Sequence, residues 1–243
     1  MISKIRLIFL ASLLLTLLAG CSEQRRPATL IPAVSQDKPP LIDGTLSPGE
    51  WDGAREESFK NGSQLFLQTD SKYLYLGIRS NSAGMLMGNV FIQRGDTISI
   101  LHISAALGTA IYQQGTEGWH LIQDFNWQCR DAGNSQAALD ERRAFLEQSG
   151  WLGSISYMGI PEELEYQIEL TAEPMYLFVV FENVDYAGLK FIWPTQVEDH
   201  SGELTHGDST SNLSITTEGW AEITVNRDGE LEFIVPTPQE KIL

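Results

Sequence analysis

The strongest constraint on this chain is a recurrence of short apolar and aromatic runs, each broken after a few residues by Gly, Asn, Asp or Ser. They occupy residues 64–68, 73–79, 89–93, 97–104, 109–113, 119–124, 164–171, 175–183, 189–193 and 220–225. β-Branched and aromatic side chains in such runs suit a pleated, half-buried surface. The polar turn Asp70-Ser71-Lys72 joins the first two runs, so 64–79 is expected to be a hairpin. The expected fold class is all-β, an antiparallel β-sandwich of immunoglobulin-like or jelly-roll type. No long internal repeat is evident.

One interval departs from this pattern. After Asn134-Ser135, residues 136–148 place Ala138, Arg142, Phe145 and Leu146 among good helix formers. Ser135 is a suitable N-cap and Gly150 a suitable stop. One inserted α-helix is therefore expected near 136–148, and 127–157 is where the chain should differ most from a plain sandwich.

The beginning of the chain obeys different physics. Lys4 and Arg6 precede an apolar run over 8–18, too short for a hydrocarbon core of about 30 Å, which takes about 20 residues to cross. Leu18-Ala19-Gly20-Cys21 resembles the lipobox of bacterial lipoproteins, in which small residues admit a peptidase and the cysteine thiol is acylated. Residues 1–20 are thus expected to be a lipoprotein signal peptide, with Cys21 as the lipid anchor. Two or three palmitate-like chains hold firmly, because each buried CH₂ contributes about 0.8 kcal/mol and one chain alone is marginal. Ser22 does not resemble the Asp that retains many lipoproteins at the inner membrane, so the outer membrane is expected in a diderm host, with the domain facing periplasm or cell surface. Residues 21–39 carry Arg25, Arg26, Pro27, Pro32 and Pro39 with little apolar periodicity and read as a flexible tether. Residues 40–243 are left as the folded domain.

Charge and cysteine content exclude several functions. The formal net charge is −16, from 32 acids against 16 bases. A surface that tracks phosphates needs a cationic patch, and none is visible, so nucleic acid and anionic headgroups are excluded as partners. The two cysteines are Cys21 and Cys129. The domain therefore has no internal disulfide, and Cys129 is expected to pack.

At the start of the domain the residues become specific. Ile42-Asp43-Gly44, Trp51-Asp52-Gly53-Ala54 and Tyr73-Leu74-Tyr75-Leu76 resemble the opening of carbohydrate-binding module family 9 and its DOMON-like relatives. Glu165-Tyr166-Gln167-Ile168-Glu169 is similar to a late strand of that family, and Trp220-Ala221-Glu222-Ile223 to a closing one. The residues themselves read as structural, with two tight turns and an apolar plug at Trp51. The resemblance implies a non-catalytic β-sandwich that holds a glycan end between two tryptophans, helped by polar side chains. Before the strand beginning near Asn89, where the first of those tryptophans belongs, this chain has Ser82-Ala83-Gly84-Met85-Leu86-Met87-Gly88, with neither Trp nor acid. Trp193 resembles a Trp near the family's final loop.

Sugars are held by aromatic rings on the apolar pyranose face and by polar side chains around the rim. Trp119 and Trp127 lie among Gly, Gln, Asn and Asp, and Trp193 precedes a polar loop over 198–208. The expected carbohydrate site is accordingly Trp119, Trp127 and Trp193 with Asp199, His200 and Asp208. In the same loop Asp199 with Asp208 suits calcium and His200 with His206 suits zinc, although the spacing matches no closed site; no cofactor is expected. His102, Met85 and Met87 are the residues available to a non-covalent haem. No motif for nucleophilic, metal-hydrolytic or phosphoryl-transfer chemistry is present. Two other readings stand beside sugar binding: an assembly lipoprotein that contacts a partner protein, and a haem- or metal-binding electron-transfer module.

Overall fold

The computed structural model describes residues 28–33, 38–70, 72–82, 84–129, 135–155, 163–183, 189–207, 212–226, 228 and 230–235. The signal peptide, Cys21 and Asp208 lie outside them, as does the side chain of Cys129.

Its strands are β1 (Thr29–Leu30), β2 (Arg55–Ser58), β3 (Gln64–Thr69), β4 (Tyr73–Arg79), β5 (Leu86–Arg94), β6 (Thr97–Ile103), β7 (Ala106–Gly115), β8 (Gly118–Cys129), β9 (Trp151–Ile155), β10 (Glu163–Glu169), β11 (Met175–Asn183), β12 (Leu189–Trp193), β13 (Ala221–Val225) and β14 (Leu231–Ile234). They form two antiparallel sheets. The larger has the order β1-β14-β13-β11-β5-β6-β7-β8, and the smaller β2-β3-β4-β10-β9. One edge of β11 carries two partners, β13 along Met175–Leu177 and β12 along Val179–Asn183.

The alternation of β11 shows how the sheets are buried. Met175, Leu177, Val179 and Phe181 join the core between the sheets, with Leu65, Leu67, Leu74, Leu76, Leu164 and Ile168. Phe178 and Val180 point the other way, into a second cluster with Phe91, Ile98, Ile100 and Tyr112. That outer cluster is covered by the segment after β12. Leu204, on the short helix α2 (Ser201–His206), and Trp220 are both sealed within it. Trp220 stacks on Phe178 at 5.4 Å, and Tyr112 donates from its hydroxyl to the Leu204 carbonyl at 3.0 Å. The molecule is thus a β-sandwich with a third layer over part of its larger sheet, which is why β11 is apolar on both faces.

Helix α1 (Gln136–Ser149) lies where its caps place it. The Ser135 hydroxyl accepts from the Ala138 amide, and Gly150, at φ 70°, returns its N–H to the Leu146 carbonyl. The tether expected over 21–39 needs a correction at 28–33. Thr29–Leu30 pair with β14, Ile31 is 3% exposed, and the Thr69 amide donates to the Pro32 carbonyl. Ile31 belongs to the core.

The turn residues at the start of the domain form a latch across the outer face of the smaller sheet. Glu165 Oε2 accepts from the Asp43 and Gly44 amides at 3.0 and 2.7 Å, and its Oε1 from the Trp51 indole at 3.2 Å. Two residues earlier, Glu163 accepts from the Leu46 amide and from Arg79 Nε. The Trp51 ring lies directly over Gly77, where a Cβ would sit 3.1 Å from both Trp51 and Leu46. The Ile-Asp-Gly and Trp elements are therefore one structural device, keyed to a carboxylate more than a hundred residues later.

Candidate functional site

The structure sorts the six tryptophans sharply. Trp51, Trp119, Trp151, Trp193 and Trp220 are each 8% exposed or less, whereas Trp127 is 52% exposed. An indole stacks on a sugar only through a face that solvent can reach, so the expectation of open rings is not met at Trp119 and Trp193. Trp119 is sealed in the outer cluster, and its backbone exchanges two hydrogen bonds with Leu213. Trp193 packs in the core between the sheets. Only an edge of it borders a groove of about 240 Å³ with Arg55, Glu57, Ser58, Phe59 and Gln196, in which Arg55 and Glu57 are paired at 2.9 Å. Trp119 and Trp127 lie on one strand, eight residues and roughly 25 Å apart, and do not share a ligand.

Trp127 stands at the end of a cross-strand row. Val180 of β11 faces Asn89 of β5, which faces His102 of β6, then Gly108 of β7 and Trp127 of β8. Directly opposed residues share one face of a sheet, so Asn89, His102 and Trp127 continue the face of Val180 outward from the outer cluster. β8 reaches this row through two register shifts against β7, between Thr109 and Ile111 and between Ile111 and Tyr112. Bulges of this kind re-aim side chains at strand edges.

Gly108 leaves room for the rings. A Cβ there would lie 2.7 Å from Cε3 and Cζ3 of Trp127 and 3.1 Å from Cδ1 of Phe125, so a larger residue would push the two stacked rings away from β7. Phe125 stacks against the indole at 4.8 Å and 22° and is itself packed on the outer cluster. His102 meets the pair edge-on, 5.1 Å from Trp127 and 5.9 Å from Phe125.

The chemistry of this platform is neutral. His102 Nδ1 is 2.8 Å from Asn89 Oδ1. A carbonyl oxygen can only accept, so Nδ1 carries the proton and Nε2 keeps its lone pair. Burial lowers the His102 pKa to about 4, and the ring is uncharged around neutral pH. The site offers an apolar face and an imidazole acceptor, with the buried Asn89 carboxamide holding the imidazole in place, and its row holds no ionised side chain. Its ring is walled by Asn89, Phe125 and Trp127, the surroundings of the residue named above as a haem candidate. Sequence reasoning missed Asn89, Phe125 and Gly108; the one available signal was the i, i+2 spacing of Phe125 and Trp127 on a strand.

The polar residues expected beside the tryptophans are occupied locally. Asp199 Oδ1 accepts from the Ser201 amide and hydroxyl at 3.0 and 2.7 Å, and its Oδ2 pairs with Lys190. Burial opposes the charge of Asp199, but the bonds from Lys190 and Ser201 outweigh it and hold its pKa below the usual carboxylate value. His200 Nδ1 lies 3.1 Å from Glu203, and Nε2 3.5 Å from Glu198. These contacts build the turn into α2. Among the described residues no group of three His, Cys, Asp or Glu side chains is placed to hold a metal ion.

No protein-family model matches this chain. No curated protein matches it either. Among solved structures it is similar to a carbohydrate-binding module family 9 domain from Caldicellulosiruptor kristjanssonii in complex with cellotriose, at 10% identity and a TM-score of 0.37, over 67% of this chain and 80% of that one. The module in complex with glucose gives 11% identity and 0.36, over 67% and 81%. A proposed carbohydrate-binding protein from Bacteroides uniformis gives 11% identity and 0.38, over 67% and 86%.

Proposed function

We propose that this chain is a lipid-anchored, non-catalytic binding protein that takes carbohydrate on the Trp127 platform. The observation that carries the reading is the open indole. A large, half-exposed apolar ring backed on one face by Phe125, with an uncharged imidazole beside it, is the kind of surface a pyranose face requires. The resemblance of the opening turns to family 9 modules supports the same ligand class. Calorimetric titration of the detergent-solubilised protein against a panel of neutral oligosaccharides tests it. Saturable binding lost in Trp127→Ala is expected, and no binding to any member would remove the reading. The anchor is tested separately: Cys21→Ser should move the protein from the membrane to the soluble fraction, and an unchanged distribution would count against it.

A second reading has one observation of its own. Ile122, 55% exposed, lies on the same edge strand as Trp127, and exposed apolar residues on a sheet edge suit a partner protein. That reading predicts that Ile122→Lys abolishes capture of the partner and leaves glycan binding intact.

A further inference from the structure

We propose that the Asp52–Gly53 turn of the latch is a site of spontaneous chain isomerisation, and that the comparable turns near it are protected by the hydrogen bonds that build the fold.

The sequence has four steps at which Asp or Asn precedes Gly, at 43–44, 52–53, 61–62 and 228–229. Such a step is the least hindered place for a main-chain amide to attack the side chain before it, because glycine has no Cβ in the way. The first three are described, and the structure treats them differently. The Gly44 amide is buried and donates to Glu165 Oε2 at 2.7 Å, while Asp43 Oδ1 accepts from the Thr45 amide at 2.9 Å. The Gly62 amide donates to the Phe59 carbonyl at 2.8 Å, and the Asn61 carboxamide is bonded to Ser63 through both its oxygen and its nitrogen. In each of these two steps the nucleophile and the group it must reach are engaged elsewhere.

Asp52–Gly53 has neither restraint. Both residues are exposed, and among the described residues neither the Asp52 carboxyl nor the Gly53 amide has a hydrogen-bond partner. Gly53, at φ 85°, takes the left-handed position of a turn closed by one bond, from the Ala54 amide to the Trp51 carbonyl at 3.1 Å. Nothing stands within 4 Å of the position a Cβ would take there. Bringing the Asp52 carboxyl over the Gly53 nitrogen therefore breaks that one turn bond and no other, a local opening that leaves the sheets paired.

The chemistry needs water alone. The Gly53 nitrogen bonds Asp52 Cγ, the hydrogen of the nitrogen and the hydroxyl of the carboxylic acid depart as water, and a succinimide ring closes. Water then adds to one of the two ring carbonyls and breaks its bond to nitrogen. Breakage at Cγ restores aspartate; breakage at the main-chain carbonyl leaves isoaspartate, with the chain routed through Cβ and Cγ and its mass unchanged. The backbone thereby gains one carbon between Trp51 and Gly53, directly beside the indole that donates to Glu165. The latch is lengthened at its pin, and its hold on the smaller sheet loosens as the protein ages.

The experiment holds the detergent-solubilised full chain at near-neutral pH and body temperature for several weeks, folded and in concentrated urea. Peptide mapping with electron-transfer fragmentation then separates isoaspartate from aspartate at each step and follows deamidation of Asn61. In the folded protein Asp52 should convert within about tenfold of its rate in urea, while Asp43 and Asn61 should fall behind their own urea rates by more than about tenfold. In Asp52→Glu, where a larger ring would have to close, the change at 52 should disappear and the other two rates should stay as they were. Protection of Asp52 as strong as that of Asp43, or conversion of Asp43 ahead of it, overturns the proposal.

Discussion

The indole N–H of Trp51 donates to Glu165 Oε1 at 3.2 Å, while the other oxygen of the same carboxyl accepts the amides of Asp43 and Gly44. A side chain with no solvent exposure thus closes three donors from one crossing segment. Replacing it removes their acceptor at once. Glu165→Leu should lower stability by about 3 kcal/mol or more, since an orphaned buried donor costs about 1–3 kcal/mol. Glu165→Gln keeps a carbonyl acceptor and should lose less. Urea unfolding followed by tryptophan fluorescence ranks the two; equal stability of the leucine variant and the parent would show that the latch is idle.

The same carboxyl sets a pH dependence. Burial raises the Glu165 pKa from 4.5 to about 8, against bonds from Gly44 and Trp51 that favour the ionised form. Between those values the unfolded chain has released the proton and the folded one keeps it, so the contribution of Glu165 is full below 4.5 and is lost as pH rises through about 8. His102 works in the opposite sense. Its pKa falls from 6.5 to about 4, so its contribution is present above 6.5 and lost as pH falls toward 4. The two oppose one another from 4.5 to 6.5, and Glu165 acts alone from 6.5 to 8. Melting temperature should therefore fall across pH 6.5–8, and Glu165→Gln should flatten that slope; a parental slope in the variant would assign it to another group.

Two tryptophan substitutions should separate architecture from surface. Trp193→Ala empties a site in the main core and should cost about 3–5 kcal/mol. Trp127→Ala loses chiefly its stack on Phe125 and should cost about 1 kcal/mol. Denaturant midpoints for both, beside glycan titration of the second, show whether stability and binding are divided between them in this way.

Gly108 gives the most local test. In Gly108→Ala the new methyl occupies the space of Trp127 Cε3 and Cζ3, and the half-exposed indole can swing outward to relieve it. Glycan affinity should fall by about tenfold with little change in the unfolding midpoint. Far-UV circular dichroism should match the parent; unchanged glycan affinity would show that the seating of the indole over Gly108 does not matter for binding.

The strands and the helix were legible because each is a local pattern: short apolar and aromatic runs for Tyr73–Arg79 and Met175–Asn183, a serine cap and a glycine stop around Gln136–Ser149. Trp51 was legible too, as an apolar plug, but the fates of Trp119, Trp127 and Trp193 were not. Trp119 has polar sequence neighbours and Trp193 precedes a polar loop, but in a strand adjacent residues point to opposite faces and a loop several residues on need not meet the ring, so that polarity says nothing about either indole. Trp127 has the same kind of neighbours, and what leaves it open is its position at the rim of the outer cluster, with Gly108 beneath it. The third layer was hidden for a related reason. Phe91, Phe178 and Val180 announce a second buried face without naming its cover, which comes from Leu204 and Trp220, far along the chain. Ile31 was lost among prolines, where no periodicity could mark it as core.

The order of the larger sheet also fixes a direction. The described chain comes in through β1, at one margin, and Trp127 rides on β8, at the other. Seven interstrand steps of about 4.8 Å part them, roughly 30 Å once twist is allowed for. The first described strand and the open ring of Trp127 therefore sit at opposite margins of one sheet, so whatever meets the one has the full breadth of the molecule between it and the other.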